Sequence, residues 1–296
     1  MLNIYSLMTP SDNVLALGQV VKCCLVNEPQ HKYYVYLPTT FNDKTHLLVT
    51  VHGISRRARA QARLFAAYAE RNNVAIVAPY FDPALYPDYQ RLGRSNRGLR
   101  ADRHLEAILC DFTRTTGLAS YHFSLFGYSG GAQFSHRYAM AYPERVNAMV
   151  LGAAGWYTLP DELAKFPYGI QPSRHLPGVH FEPKQFLRIP ACVCVGEMDN
   201  LPQESLRNSS LLNYSQGVCR ISRGQHWVQE MAKAAQTRHY DTDYRFELLP
   251  NVGHSFSRAI RLGGLGEQVF NFIFPKTTAP QNRLGRNNSI AITHSS

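Results

Sequence analysis

The sequence lacks long hydrophobic runs. No apolar segment in its 296 residues approaches the roughly 18 to 20 residues that a helix needs to cross a bilayer. Residues 1–8 carry no basic cluster, and residues 10–13 interrupt them before a long apolar stretch can form. We therefore expect no membrane span and no secretory signal, and we expect a cytoplasmic protein.

Cysteine is scarce and irregularly spaced. The six cysteines stand at positions 23, 24, 110, 192, 194 and 219. This spacing matches neither a zinc site nor a regular disulfide framework, so we expect mostly buried, reduced thiols and no metal. No cofactor is indicated. The composition is 45% hydrophobic and 18% charged, which excludes a collagen, a coiled coil or a wholly disordered chain.

Acidic residues are outnumbered, and the net charge is +10. Such a balance permits attraction to nucleic acid, but the arginines do not alternate with stacking aromatics as in a known binding module. We therefore expect no nucleic-acid partner, and a salt-sensitive gel shift would be needed to support one. Arginines recur at positions 91, 94, 97, 100 and 103. A solvated cationic face is the simpler interpretation of this run, and a site for an anionic substrate is the alternative.

Apolar strands and amphipathic helices alternate along the chain. The predicted strands cover residues 14–26, 31–37, 45–51, 74–78, 121–126, 146–151, 190–195 and 244–249. The predicted helices cover residues 57–71, 99–116, 130–142, 225–238 and 256–272. This order predicts an α/β fold, a doubly wound and mostly parallel sheet with antiparallel strands at its N-terminal end and helices on both faces.

The domain organisation follows from the same pattern. We expect a single domain over residues 1–275, followed by a polar tail at 276–296 that is disordered or loosely docked. Two segments, at about 80–98 and 157–187, are too long for plain connectors. Both would lie over the carboxyl ends of the strands, where ligand-binding loops belong, so we expect them to form the walls of a pocket.

A glycine-flanked serine lies between a predicted strand and a predicted helix, in the sequence Gly127-Tyr128-Ser129-Gly130-Gly131. A nucleophile on so sharp a turn needs small residues two positions to either side, which Gly127 and Gly131 supply. The start of the following helix points free N–H groups and its positive dipole end at a developing oxyanion. The pattern predicts that Ser129 is a nucleophile; an inert serine in a glycine-rich turn is the alternative.

A serine hydroxyl needs a base within hydrogen-bond reach. His254 is the best candidate, because it stands in a loop between the last predicted strand and the last predicted helix. The competing histidines are His52, His136 and His226.

An imidazole base needs a carboxylate to fix its tautomer. Asp199 is the choice, since it lies deepest in the loop after the strand at 190–195; Glu197 is the rival, and Asp241 and Asp243 are more distant alternatives. The order serine, aspartate, histidine along the chain is that of one convergent solution to this chemistry.

A tight turn follows the third predicted strand, at His52-Gly53-Ile54. A glycine there lets the backbone turn sharply, so that the N–H of Ile54 can point at the same oxyanion as the N–H of Gly130. A plain β-turn is the alternative.

Together, His52-Gly53, the Gly127-x-Ser129-x-Gly131 elbow, Asp199 and His254 resemble the α/β-hydrolase superfamily over about residues 14–273. The segments around the turn and the elbow look most like the branch of polyhydroxybutyrate-depolymerase-like and feruloyl-esterase-like serine esterases. By that resemblance, Ser129 would be the nucleophile, His254 the base and Asp199 the orienting acid. The amides of Gly130 and Ile54 would form the oxyanion hole.

The expected activity is that of a serine hydrolase that cleaves small-molecule carboxylic esters through an acyl-enzyme, as carboxylesterases do. Thioester, lactone and peptide substrates remain open, as does a catalytically silent binding protein on the same scaffold. Aromatic residues Tyr128, Trp156 and Tyr157 are predicted to bind the substrate, with Tyr168 and Phe256 nearby. The sequence does not indicate an oligomeric state.

Overall fold

A computed structural model describes residues 15–201, 206–207 and 209–275 of the chain. Its strands are β1 (Val20–Leu25), β2 (Glu28–Tyr36), β3 (His46–Val51), β4 (Val74–Pro79), β5 (Phe123–Tyr128), β6 (Val146–Gly152), β7 (Ala191–Gly196) and β8 (Tyr244–Leu249). Its helices are α1 (Ala58–Arg71), α2 (Ala101–Thr116), α3 (Gly130–Ala141), α4 (Pro183–Phe186), α5 (Ser210–Gln216), α6 (Arg220–Gln236), α7 (Phe256–Arg261) and α8 (Leu265–Ile273). The predicted tail at 276–296 lies outside the described residues.

All eight strands belong to one sheet, in the order β1-β2-β4-β3-β5-β6-β7-β8. The pairs β1–β2 and β2–β4 are antiparallel, and the remaining strands run parallel. Across the central strands, Val51 pairs with Gly127 and Tyr128 pairs with Gly152. The carboxyl ends of β3, β5 and β6 therefore meet at one edge of the sheet. The predicted fold class, including the antiparallel N-terminal strands, is confirmed.

Helices cover both faces of the sheet. Phe126 of β5 packs against Phe65 of α1 and Phe256 of α7, whereas Phe123 of the same strand packs against Tyr138 of α3. Successive strand residues point to opposite faces of the sheet, so Phe123 and Phe126, three residues apart, contact the helix layers on opposite sides. β4, β5 and β7 are buried along their whole length, as a parallel sheet covered on both sides requires.

The last predicted helix is interrupted. Residues 256–272 form two helices, α7 and α8, rather than one. The break falls at Gly263 and Gly264: a side chain at Gly263 would lie 2.9 Å from the Val252 side chain, and Gly264 has a φ of 70°. Helix α6 begins at Arg220, five residues before its predicted start, so His226 lies inside it rather than at its beginning.

The two long segments do follow the carboxyl ends of strands. Residues 80–98 come after β4 and include a 3-10 turn at Tyr89–Arg91. Residues 157–187 come after β6 and include the short helix α4. Leu99 N–H donates to the Leu85 carbonyl at 2.8 Å, which closes the first segment on itself.

His104, on α2, is a buried histidine. Its ring lies 4.7 Å from the rings of both His31 and Tyr86, and its Nε2 has no hydrogen-bond partner within the described residues. Burial lowers the pKa of His104 to about 3, and repulsion by His31 acts in the same direction. The unfolded chain, in contrast, takes up this proton near pH 6.5.

Acid should therefore weaken the fold through His104. The stability that this neutral ring contributes is complete above about pH 6.5 and is lost as the pH falls towards 3. At pH 5 the loss from this single group is about 2 kcal/mol. Urea unfolding at pH 8 and pH 5 measures this loss. The decrease in the free energy of unfolding from pH 8 to pH 5 should be about 2 kcal/mol smaller in His104→Phe than in the parent. Equal differences in the parent and the variant would contradict the argument.

Candidate active site

Ser129 occupies a sharp turn between β5 and α3. Its φ of 55° and ψ of −113° lie in a region that side chains rarely adopt. A side chain at Gly127 would run into the Gly131 carbonyl, and one at Gly131 into the Val51 carbonyl, so only glycine fits at either position. The N–H of Ser129 donates to the Gly152 carbonyl at 2.6 Å. The two glycines therefore allow a strained turn that holds the Ser129 hydroxyl at the carboxyl edge of the sheet.

The His254 ring lies against this hydroxyl. His254 belongs to the loop between β8 and α7, and its Nε2 is 3.0 Å from Ser129 Oγ. Its Nδ1–H donates to Oδ2 of Asp199 at 2.8 Å. The ring also stacks on Tyr128, with 5.5 Å between the ring centroids. Because the carboxylate holds the proton on Nδ1, Nε2 is left as an acceptor for the serine proton.

Asp199 is completely buried in the turn that follows β7. Its Oδ2 accepts from His254, and its Oδ1 accepts from the guanidinium of Arg220 at 3.0 Å. Arg220, the first residue of α6, is 1% exposed. A carboxylate buried alone would be costly, so the guanidinium offsets part of the desolvation of the Asp199 charge.

The rival carboxylates lie elsewhere. Glu197 is exposed and accepts a hydrogen bond from the N–H of Asn251 at 3.2 Å, which ties together the two loops of Asp199 and His254. Asp241 is exposed, and Asp243 is exposed and pairs with Arg245. Of the four candidate acids, the structure brings only Asp199 to the His254 ring.

Two of the rival histidines are buried and hold loops in place. The His52 Nδ1–H donates to the Gly53 carbonyl at 2.9 Å, and its Nε2 accepts from the N–H of Phe81 at 3.0 Å. Burial lowers the pKa of His52 to about 4, so the ring is neutral at pH 7. His136 acts in the same way, with its Nε2 accepting from the N–H of Thr158 at 2.9 Å. Neither ring forms a hydrogen bond with the Ser129 hydroxyl.

The turn at Gly53 and Ile54 packs directly on the serine. A side chain at Gly53 would lie 3.2 Å from the Tyr128 carbonyl and 3.4 Å from Ser129 Cβ, which shows how close the two turns are. Ile54 reaches Gly130, whose Cβ, if it had one, would lie 3.1 Å from Ile54 Cγ2. Gly130 begins α3, so its N–H has no partner within the helix. The turn at Gly53 and Ile54 and the first residue of α3 thus both lie beside Ser129.

Two cavities open on the Ser129 hydroxyl from different sides. The larger, of about 310 Å³, is bordered by both Tyr128 and His254 and by Leu64 and Phe256. The smaller, of about 100 Å³, lies on the other side of Ser129 and Ile54. Its remaining lining residues are Gln90, Arg91, Gln133, Gly155, Trp156, Arg207 and Arg220.

The three aromatic residues predicted to bind substrate have different positions. Tyr128 borders the larger cavity and Trp156 the smaller one. Tyr157, in contrast, is 0% exposed and stacks on Trp227 of α6, with 5.3 Å between the ring centroids. It borders neither cavity. The structure therefore corrects the expectation for Tyr157, which is a core residue.

The fold is shared with proteins of known structure. A poly(aspartic acid) hydrolase from Sphingomonas sp. KT-1 gives a TM-score of 0.66 at 23% sequence identity, over 79% of this chain and 93% of that one. A poly(3-hydroxybutyrate) depolymerase from Bordetella parapertussis gives 0.66 at 22% identity, over 82% of this chain and 85% of that one. This is the α/β-hydrolase fold.

A third α/β-hydrolase of the same architecture is a fluorophosphonate-binding serine hydrolase from Staphylococcus aureus. It gives a TM-score of 0.56 at 14% identity, over 87% of this chain and 99% of that one. No protein-family model matches the chain, and no curated protein matches it by sequence. At such low identities the likeness establishes the α/β-hydrolase fold, and the chemistry has to be argued from the residues themselves.

Sequence reasoning missed two residues of this candidate site. Arg220 binds Asp199 from α6, and the Tyr89 hydroxyl donates to the His52 carbonyl at 3.0 Å, which fixes the turn beside Ser129. Neither belongs to a short motif, since each meets its partner only through the folded chain. Tyr89 lies in the long segment that follows β4, and the length of that segment was the one sequence signal that its residues could belong to the site.

The part of the chain that the structure describes contains no group of three histidine, cysteine, aspartate or glutamate side chains placed to hold a metal ion. Nor does any helix within it combine the length and apolarity that a bilayer span requires.

Proposed function

We propose that this protein is a serine hydrolase that cleaves carboxylic esters through an acyl-enzyme, in the manner of a carboxylesterase. One observation carries the proposal: an unbroken hydrogen-bonded series joins Ser129 Oγ to His254 at 3.0 Å and His254 to Asp199 at 2.8 Å. A hydroxyl, an imidazole and a carboxylate hydrogen-bonded in this order form the arrangement that turns a weak nucleophile into a reactive one.

In the first half-reaction, Ser129 Oγ attacks the ester carbonyl while His254 Nε2 takes its proton. The carbonyl oxygen becomes an oxyanion, which the amides of Gly130 and Ile54 would bind. The protonated His254 then donates its proton to the alcohol oxygen, the carbon–oxygen bond breaks, and the alcohol leaves. Asp199 stabilises the imidazolium throughout without taking its proton.

In the second half-reaction, water replaces the alcohol. His254 takes a proton from the water, whose oxygen attacks the acyl carbonyl of the Ser129 ester. Collapse of this second intermediate returns the proton to Ser129 Oγ and releases the carboxylic acid. The site is thereby restored, and no cofactor is needed for either step.

The names of several structural neighbours favour ester chemistry within this class. They include a poly(3-hydroxybutyrate) depolymerase, an acetyl xylan esterase and a thermostable esterase. We propose a small-molecule ester as the substrate here, because the two cavities that open on Ser129, of about 310 and 100 Å³, are small. A cytoplasmic location stays a prediction from the sequence.

Hydrolysis of p-nitrophenyl butyrate tests the proposal. The purified protein should release p-nitrophenol with saturation kinetics, because the ester is small enough for the larger cavity. A parallel panel of a butyryl thioester, a lactone and a peptide anilide separates the alternatives that share the same triad. Turnover of the thioester, the lactone or the anilide alone would contradict the ester assignment. Failure of all four substrates would favour a catalytically silent binding protein.

A further inference from the structure

The smaller cavity beside Ser129 is rich in cationic side chains. It is bordered by the guanidiniums of Arg91, Arg207 and Arg220, and no carboxylate borders it among the described residues. The charge of Arg220 is matched by Asp199, with which it forms a buried ion pair. Arg91 and Arg207 are the two further cations of the lining, and Arg91 belongs to the arginine run noted in the sequence.

A cluster of guanidiniums surrounds one wall of this cavity, the ring of Trp156. Their carbon atoms lie 5.5 Å from the ring centroid for Arg91, 4.3 Å for Arg137 and 5.6 Å for Arg207. A tryptophan face attracts cations and can hold several guanidiniums close together. Three guanidiniums therefore lie around the Trp156 ring, and two of them, those of Arg91 and Arg207, also border the cavity.

Among the described residues, little negative charge opposes this cluster. Asp88 accepts from Arg91 at 2.9 Å and from Arg94 at 2.7 Å, so one carboxylate serves two guanidiniums. Arg137 is completely buried and donates to Thr158 Oγ1 and to the carbonyl of Gln90, both neutral. One nitrogen of Arg137 and the Nε of Arg91 have no hydrogen-bond partner in the described part of the chain.

The titration behaviour agrees with an excess of positive charge. Burial lowers the pKa of Arg137 well below its ordinary value, and repulsion by Arg91 adds to the effect. The pKa of Arg91 is lowered for the same first reason, although Asp88 opposes the shift. An anion bound in the cavity would relieve this repulsion.

The geometry of the reaction decides which part of an ester enters the cavity. His254 must protonate the leaving alcohol, so the alcohol lies on the side of the serine where His254 borders the larger cavity. The acyl group is then directed to the other side of Ser129, towards Trp156 and the arginines. A cavity of about 100 Å³ has room for a short chain that ends in a carboxylate.

We propose that the acyl group of the substrate carries a carboxylate that binds between Arg91 and Arg207, so that the preferred substrates are half-esters of short dicarboxylic acids. The proposal rests on the proposed esterase function and adds a substrate class to it. Guanidiniums suit this role, because their planar array of N–H donors matches the two oxygens of a carboxylate.

A matched pair of substrates tests the proposal. The p-nitrophenyl half-ester of glutaric acid and p-nitrophenyl pentanoate have acyl chains of equal length and differ in one terminal carboxylate. The ratio of their kcat/KM values, anionic over neutral, should be about 10 or more for the parent protein, as a charge-assisted contact provides. Rates measured with Ser129→Ala correct for hydrolysis of the half-ester by its own carboxylate.

Arginine variants then locate the effect. The ratio should fall about 10-fold in Arg91→Gln and in Arg207→Gln, and it should stay within about twofold in Arg97→Gln, an exposed arginine of the same run that borders neither cavity. Added salt should lower the parent's ratio, since salt screens the attraction.

The outcomes distinguish a failure of the half-ester proposal from a failure of the proposed esterase function. A ratio of one or less in the parent, or a ratio unchanged in both Arg91→Gln and Arg207→Gln, overturns the half-ester proposal. If the neutral ester is still hydrolysed, the proposed esterase function stands in that case. Hydrolysis of neither ester overturns both.

Discussion

Replacing Ser129 by alanine is expected to lower kcat for p-nitrophenyl butyrate by about 10⁴- to 10⁶-fold, since no other nucleophile stands in the hydrogen-bonded series. Ser129 Oγ is the atom 3.0 Å from His254 Nε2, and its removal leaves the base with nothing to activate except water. The residual rate would come from the amides of Gly130 and Ile54 and from substrate binding.

The fold should survive this change. Alanine has the same Cβ, so the positive φ of 55° at this turn is no more strained than before. The unfolding free energy should therefore change by less than about 1 kcal/mol. Steady-state kinetics and urea unfolding of the same preparation measure both quantities.

Ser135→Ala is the matched control, six residues along on α3. Ser135 is buried, whereas Ser129 is half-buried, and the Oγ of Ser135 has no hydrogen-bond partner within the described residues. Removal of an unpaired buried hydroxyl is neutral or stabilising. Full activity in Ser135→Ala beside near-zero activity in Ser129→Ala is the expected contrast, whereas equal activity in the two variants would exclude Ser129 as the nucleophile.

Replacing Asp199 by asparagine is expected to lower kcat by about 10³- to 10⁴-fold. An amide can donate to His254 Nδ1, which would then carry no proton, and the proton would move to Nε2. The Nε2 position facing Ser129 would become a donor and lose its function as a base.

Asp199→Asn should also weaken the fold, unlike Ser129→Ala. Arg220 is 1% exposed and would lose the charge that it pairs with. Breaking a buried pair on one side costs about 3 kcal/mol or more, so a lower urea midpoint should accompany the loss of activity.

Glu197→Gln is the control for this second variant, because Glu197 lies two residues away in the same loop and is exposed. Its kcat should stay within about threefold of the parent value. A large loss in Glu197→Gln with a small one in Asp199→Asn would show that the orienting carboxylate has been misidentified.

The parts of the site that could be predicted are those fixed by local sequence. Gly127 is required by the Gly131 carbonyl within one strand–turn–helix unit, and although Gly131 is required by the Val51 carbonyl of β3, the spacing of the two glycines around Ser129 is visible in the chain itself. The alternation of strands and helices likewise places His254 and Asp199 on loops at one edge of a parallel sheet. The α/β fold class follows from the same periodicity.

The parts that escaped prediction depend on contacts between distant segments. Arg220 reaches Asp199 because α6 begins earlier than its apolar periodicity indicates, where the N–H of Cys219 donates to Ser222 Oγ at 3.2 Å. Tyr157 and Trp156 are equally aromatic, and only the backbone direction after β6 decides which of them borders the cavity.

The prediction of a single helix over 256–272 was wrong for a related reason. Its apolar spacing is continuous, but Gly264 adopts a φ of 70° and the chain turns there. A side chain at Gly263 would also lie 2.9 Å from the Val252 side chain, and this approach is not visible from helical periodicity. Similarly, the arginine run contains residues with different environments, since Arg91 borders the cavity and Arg97 is exposed.

Covalent labelling by a fluorophosphonate tests the central claim most directly, because only a serine activated by its neighbours attacks this phosphorus. The protein is treated with the probe, digested, and mapped by mass spectrometry. The account predicts one adduct per chain, on Ser129, that disappears in Ser129→Ala and persists in Ser135→Ala. An unlabelled protein, or an adduct on another residue that is unaffected by Ser129→Ala, would contradict it.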